Sequence, residues 1–127
     1  MPHAKIMIVD DEPELVRALN LRFKSAGYSV VQAMDGVSAT QIAVKEQPDV
    51  IVLDIGLPGG DGHTVAERLR ANTKTMSIPV IYLTARNSEK DRIRANELGA
   101  AGYVMKPFKA DKLLDLITNV VIGAPVG

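Results

Sequence analysis

Apolar residues fall into five short runs, each followed by a stretch with helical spacing. Ile6 to Val9, Ser29 to Ala33, Val50 to Leu53, Val80 to Thr84 and Gly102 to Met105 are rich in β-branched and aliphatic residues and bounded by turn residues, as buried strands are. Asp10-Asp11-Glu12-Pro13 supplies acids and a first-turn proline to a helix with Val16, Leu19, Phe23 and Ala26 inward, stopped at Gly27. Asp35-Gly36 opens a second helix whose apolar face is Val37, Ile42 and Ala43, ending near Gln47-Pro48. Asp61-Gly62 opens a third with Val65, Ala66 and Leu69 inward, followed by the polar connection Asn72 to Ser77. Ser88-Glu89-Lys90-Asp91 has the form of a capping box, but its helix offers only Ile93 and Leu98 as large anchors and is expected to be weakly held. The last helix turns Leu113, Leu114, Ile117, Val120 and Val121 inward and ends at about Ile122, leaving Gly123 to Gly127 as a tail.

Strands alternating with helices predict an α/β domain over residues 4–122, an open parallel sheet with helices on both faces. Such sheets carry their functional groups beyond the carboxyl ends of the strands. Those ends read Asp10-Asp11 after the first strand, Asp54 after the third, Thr84 after the fourth and Lys106 after the fifth, whereas Ala33-Met34 after the second offers nothing comparable. Taken singly, each has a plainer reading as a helix-start acid, a turn aspartate, a strand threonine or a loop lysine. Their joint placement on one edge of one sheet is what marks a site. Three carboxylates in one place repel one another, and a dication resolves the conflict. Oxygen ligands without histidine or cysteine favour magnesium, with manganese as a substitute. Asp54 is then a candidate nucleophile toward a phosphoryl donor, with magnesium, Lys106 and the Thr84 hydroxyl each meeting one equatorial oxygen.

Composition narrows the function further. With 15 basic and 15 acidic residues, the chain lacks the positive footprint of a nucleic-acid binder, so no direct nucleic-acid contact is expected. It has no cysteine, which excludes disulfides and thiolate chemistry. No run is long enough for a signal peptide or a membrane span, and a cytoplasmic protein without membrane contact is expected. The lone histidines His3 and His63 are expected to be solvent-exposed loop residues without a ligand role.

The set Asp10-Asp11, Asp54, Thr84-Ala85 and Lys106-Pro107-Phe108 resembles the receiver domain of two-component response regulators over nearly the whole chain. That resemblance implies a flavodoxin-like fold of strand order 2-1-3-4-5 and a cis bond between Lys106 and Pro107. It implies magnesium held by Asp10, Asp11, Asp54 and the Gly56 carbonyl, phosphorylation of Asp54 by a histidine kinase or histidine phosphotransfer protein, and phosphoryl contacts from Thr84 and Lys106. It makes Thr84 and Tyr103 the switch pair, and Gly56 and Arg86 the positions that tune how long the phosphate survives. The signal would leave through the surface of the fourth helix, fifth strand and fifth helix toward a downstream protein, from a monomer or a phosphorylation-dependent dimer. Such a chain is a phosphoacceptor regulator rather than an enzyme, although it promotes its own phosphorylation and dephosphorylation. Lys109 departs from the small polar residue often found near the start of the family's last helix, and Asp111 offers partial compensation through the helix dipole.

A flavodoxin would want a glycine- and hydroxyl-rich phosphate loop after the first strand, where this chain has acids. An aspartyl-phosphate phosphatase would place an Asp-x-Asp-x-Thr nucleophile there, and a nucleotide switch would need a G-x-x-x-x-G-K-[ST] loop. Neither motif occurs. A stand-alone regulator or relay carrier is the expectation, with a receiver module from a longer regulator or hybrid kinase as the alternative.

Overall fold

Five parallel strands, β1 (Lys5–Val9), β2 (Ser29–Ala33), β3 (Val50–Leu53), β4 (Val80–Thr84) and β5 (Gly102–Met105), hydrogen-bond in the order β2-β1-β3-β4-β5. The computed structural model describes residues 4–57 and 61–122. Helices α1 (Pro13–Ser25), α2 (Gly36–Glu46), α3 (Gly62–Ala71), α4 (Glu89–Glu97) and α5 (Ala110–Ile122) alternate with the strands. This is the flavodoxin-like order expected above. His3, Pro58, Gly59, Gly60 and the stretch from Gly123 to Gly127, expected above as a tail, lie outside the described residues.

The period of two along a strand sends alternate residues to opposite faces. In β1, β3 and β4 both faces are buried, which is why these central strands read as nearly continuous apolar runs, while the edge strands β2 and β5 are only partly covered. Met7, Val9, Ile51, Leu53 and Tyr82 pack with α2 and α3, whereas Ile6, Ile8, Val50, Val52, Ile81 and Leu83 pack with α1 and α5. Phe23 of α1 is fully buried in the second layer, a burial that contributes about 1.5–3 kcal/mol.

Local chemistry sets the helix ends. Asp35 accepts from the Ser38 amide at 2.8 Å, Asp61 from the His63 amide at 2.8 Å, and Ser88 Oγ from the Asp91 amide at 3.1 Å. Gly27 takes φ +96° beyond the end of α1, the left-handed backbone that only glycine adopts freely.

Three expected core positions face outward. Val37 is 59% exposed, because the stripe of α2 that meets the sheet is Gly36, Ala39 and Ala43 and Val37 stands one residue off it. Ala26 lies past the last turn of α1 and is exposed. Ile93 is 51% exposed, since the inward residues of α4 are Asp91 and Ala95. Leu98 packs against the core as expected.

Candidate functional site

Register brings the carboxyl ends together. The Asp54 amide donates to the Val9 carbonyl at 2.9 Å and the Asp10 amide to the Ala33 carbonyl at 3.1 Å, so both aspartates leave adjacent central strands at one level. The Lys106 amide donates to the Thr84 carbonyl at 2.9 Å, and the Lys106-Pro107 peptide is cis. From there Lys106 Nζ donates to Asp10 Oδ2 at 2.9 Å, Glu12 Oε1 at 2.5 Å and Asp54 Oδ2 at 3.2 Å. Asp10, Asp54 and Thr84 are all buried.

Carboxylate oxygens of Asp10, Glu12 and Asp54 lie within 4.8 Å of one another. Asp11 is exposed and stands outside that group among the described residues. Glu12 is therefore the acid that the sequence reading overlooked, although it directly follows Asp10-Asp11. Burial pushes the Asp10 carboxyl up, against the lowering effect of the Lys106 ammonium and the Glu12 amide. Burial also disfavours the Lys106 ammonium, but hydrogen bonds to Asp10 and Glu12, aided by the Asp54 charge, outweigh it and hold its pKa well above the usual lysine value. This donor set is all hard oxygen, with acids that need positive charge to remain ionised together, and it fits a magnesium-sized dication.

Glycine shapes the acceptor loop at two places. The Gly56 amide donates to Asp54 Oδ1 at 3.0 Å, and a Cβ on Gly56 would stand 3.8 Å from that oxygen and 4.0 Å from Arg86 Cδ. At Gly62 a Cβ would fall 2.4 Å from the Asp54 carbonyl oxygen and 2.5 Å from Ile55 Cα, too close to any backbone atom. The first turn of α3 thus rests directly on the chain behind Asp54, with the Gly62 amide donating to the Ile55 carbonyl at 2.8 Å.

Around the other side, Thr84 Oγ1 accepts from the Arg86 amide at 3.2 Å, and the Tyr103 hydroxyl donates to the Arg86 carbonyl at 2.7 Å. The Tyr103 ring stacks on Tyr82 with centroids 5.7 Å apart, and the Arg92 guanidinium sits 4.9 Å from its centroid. His63 corrects an expectation. It lies in α3, its side chain is only 13% exposed, and its Nε2 donates to Asp91 Oδ1 at 3.0 Å. Because a carboxylate can only accept, Nε2 carries the proton, and the other ring nitrogen faces the Tyr82 hydroxyl at 3.5 Å. No sequence signal marked this contact, since His63 and Asp91 belong to different helices.

Several known proteins resemble this chain. The DNA-binding dual master transcriptional regulator RpaA of Synechocystis is 42% identical over 110 residues, which make up 87% of this chain but only 46% of that protein. The chain therefore spans about half the length of that relative. Among solved structures, the receiver domain of the sensor histidine kinase PA1611 from Pseudomonas aeruginosa superposes with a TM-score of 0.87 at 29% identity, covering 96% of this chain and all 100% of that one. That crystal structure holds a magnesium ion in its active-site cleft. The chemotaxis protein CheY4 of Vibrio cholerae gives a TM-score of 0.87 at 29% identity, covering 94% of this chain and 99% of that one. A family model, that of the response regulator receiver domain, matches residues 6–118. With its strand order, its buried aspartates and that match in agreement, the chain belongs to the receiver domains of two-component response regulators.

Proposed function

We propose that residues 4–122 form a unit that accepts a phosphoryl group on Asp54 and passes the change to a partner protein. The observation that carries this reading is the Lys106 ammonium shared by Asp10 and Asp54 at the mouth of the sheet, at 2.9 and 3.2 Å. An Asp54 carboxylate oxygen attacks the phosphorus of a partner's phosphohistidine or of a small acyl phosphate. The new P–O bond forms as the P–N or P–O bond to the donor breaks, and the imidazole or carboxylate leaves with the electron pair. Asp10, Asp11, Asp54 and the Gly56 carbonyl would hold magnesium, with Glu12 as a further oxygen within reach. An ion held there would supply positive charge against the phosphoryl oxygens. Lys106 moves from its carboxylates to a phosphoryl oxygen, and the Thr84 hydroxyl turns from the Arg86 amide to another. Tyr103 then loses the Arg86 carbonyl it now holds and repacks, changing the surface formed by α4, β5 and α5. Gly56 leaves the acceptor open to water, and Arg86 brings a cation to its rim, so these two positions set the lifetime of the acyl phosphate.

Incubation with acetyl phosphate and magnesium chloride should add one phosphoryl group to the intact mass. Chelation with EDTA, or the Asp54→Asn variant, should abolish it. Label on the Asp54→Asn protein would sink the assignment.

A fused output domain is the second reading, favoured by the RpaA match, because the matched region makes up only 46% of that DNA-binding regulator. Donors would still be a histidine kinase or phosphotransfer protein, but DNA contact would come from another domain. The open reading frame past Gly127 decides between a single-domain regulator and a module.

A further inference from the structure

Helix α4 is attached by a carboxylate rather than by an apolar stripe. Its buried residues are Asp91 and Ala95. A buried carboxylate is costly unless paired, and Asp91 accepts from Arg86 Nη2 at 2.8 Å and Nε at 3.3 Å, from His63 Nε2 at 3.0 Å and from Ser88 Oγ at 2.9 Å. Arg86 Nη1 also reaches Asp61, the N-cap of α3, at 3.1 Å. One guanidinium therefore joins the first turns of α3 and α4.

The same residue borders the acceptor. A Cβ on Gly56 would touch both Asp54 Oδ1 and the Arg86 stem, so one small side chain's width separates them. The Arg86 side chain is 44% exposed and can move without breaking the core. A phosphoryl group on Asp54 would bring a charge of about −2 beside it and compete with Asp61 and Asp91 for the same fork.

We propose that Arg86 is a shared cation, held by Asp61 and Asp91 while Asp54 is bare and drawn to the phosphoryl group when Asp54 carries one, so that phosphorylation unpins the first turn of α4. This rests on Asp54 being the acceptor. Asp61 and Asp91 are then positioning residues. Linkage makes the effect reciprocal, because the hold of Asp91 on Arg86 opposes phosphorylation by the same free energy with which phosphorylation loosens α4.

The test uses beryllium trifluoride with magnesium chloride as the phosphoryl mimic, titrated calorimetrically, with amide hydrogen exchange read across residues 88–97. In the wild type, saturation should accelerate exchange at Glu89 to Arg92. The Asp91→Asn variant should exchange fast there without the mimic and should bind it about 5-fold more tightly or better. In an Arg86→Gln background, Asp91→Asn should give no such gain. Asp61→Asn, which leaves the Ser88 cap of α4 intact, should show a smaller gain with the same dependence on Arg86, and it decides the matter if Asp91→Asn fails to fold. An equal gain in the Arg86→Gln background, or none in either aspartate variant, overturns the proposal. Wild-type binding of the mimic with unchanged α4 exchange overturns the coupling alone, whereas no wild-type binding overturns the Asp54 assignment and the coupling with it.

Discussion

At Lys106 Nζ, three carboxylates share one ammonium. Replacing it with methionine, Lys106→Met, leaves the Asp10 and Asp54 charges to repel each other, so a dication becomes a better partner while the phosphoryl group loses one. Calorimetry should show tighter magnesium binding, and uptake from acetyl phosphate should slow by roughly tenfold or more, the scale of one lost charge-assisted contact. Equal or weaker magnesium binding would contradict this account. Gly62 makes a different demand. Its missing Cβ is what lets α3 rest on the Asp54 carbonyl, so Gly62→Ala should cost about 1–3 kcal/mol in denaturant unfolding and impair phosphoryl uptake through the displaced acceptor loop. Asp10, Asp54, Thr84 and Lys106 were legible in the sequence because a parallel sheet puts its strand ends on one edge, and types plus order were enough to gather them. Glu12 and the steric role of Gly62 were not, because both depend on distances across the fold.

On the scale of elements, α4 carries the main departure from the sequence reading. Its weak apolar hold was visible, but Ile93 was read as an anchor and faces solvent, while Asp91, read as a cap, is the buried attachment. Burial alone would raise the Asp91 carboxyl, yet hydrogen bonds from Arg86, His63 and Ser88 outweigh it and hold its pKa at about 2, below the ordinary 3.8. A carboxylate depressed by folding contributes stability that is present above its unfolded pKa and lost as pH falls through the folded one. Chemical unfolding should therefore show the wild type losing stability from about pH 4 to about pH 2 more steeply than Asp91→Asn, with the curves parallel above that window. Parallel curves throughout would mean that Asp91 is not held as the structure holds it. Helix α5 is attached more conventionally, through Leu113 and Ile117, and Asp111 in its first turn pairs with Arg22 of α1. That ion pair is exposed and adds little stability.

For the whole molecule, binding at the sheet edge and global stability are linked, because a ligand of the folded state alone raises its stability by mass action. Magnesium at 100 times its dissociation constant should add about 2.7 kcal/mol, seen as a higher Tm that EDTA reverses and that Asp10→Asn removes. A Tm indifferent to magnesium would argue against the acid cluster as a cation site. The opposite layer gives a control. Phe23→Ala, in the fully buried α1 interface, should cost about 3–5 kcal/mol while leaving magnesium's increment nearly unchanged, since Phe23 packs on the other face of the sheet from α3. No described helix is long and apolar enough to cross a membrane.

Apolar periodicity and turn chemistry, both local properties, were enough to determine the alternation of strands and helices, their order along the chain and the residue types at each strand end. A parallel sheet then leaves few ways to arrange them, which is why β3 ending at Asp54 was readable as the centre of a site. Tertiary structure alone decided which acids converge on Lys106, that α3 needs a glycine against Asp54, and that His63, Arg86 and Asp91 meet. Those contacts join residues far apart in sequence through side-chain directions and helix placement, and these are set by how the layers pack rather than by any local pattern.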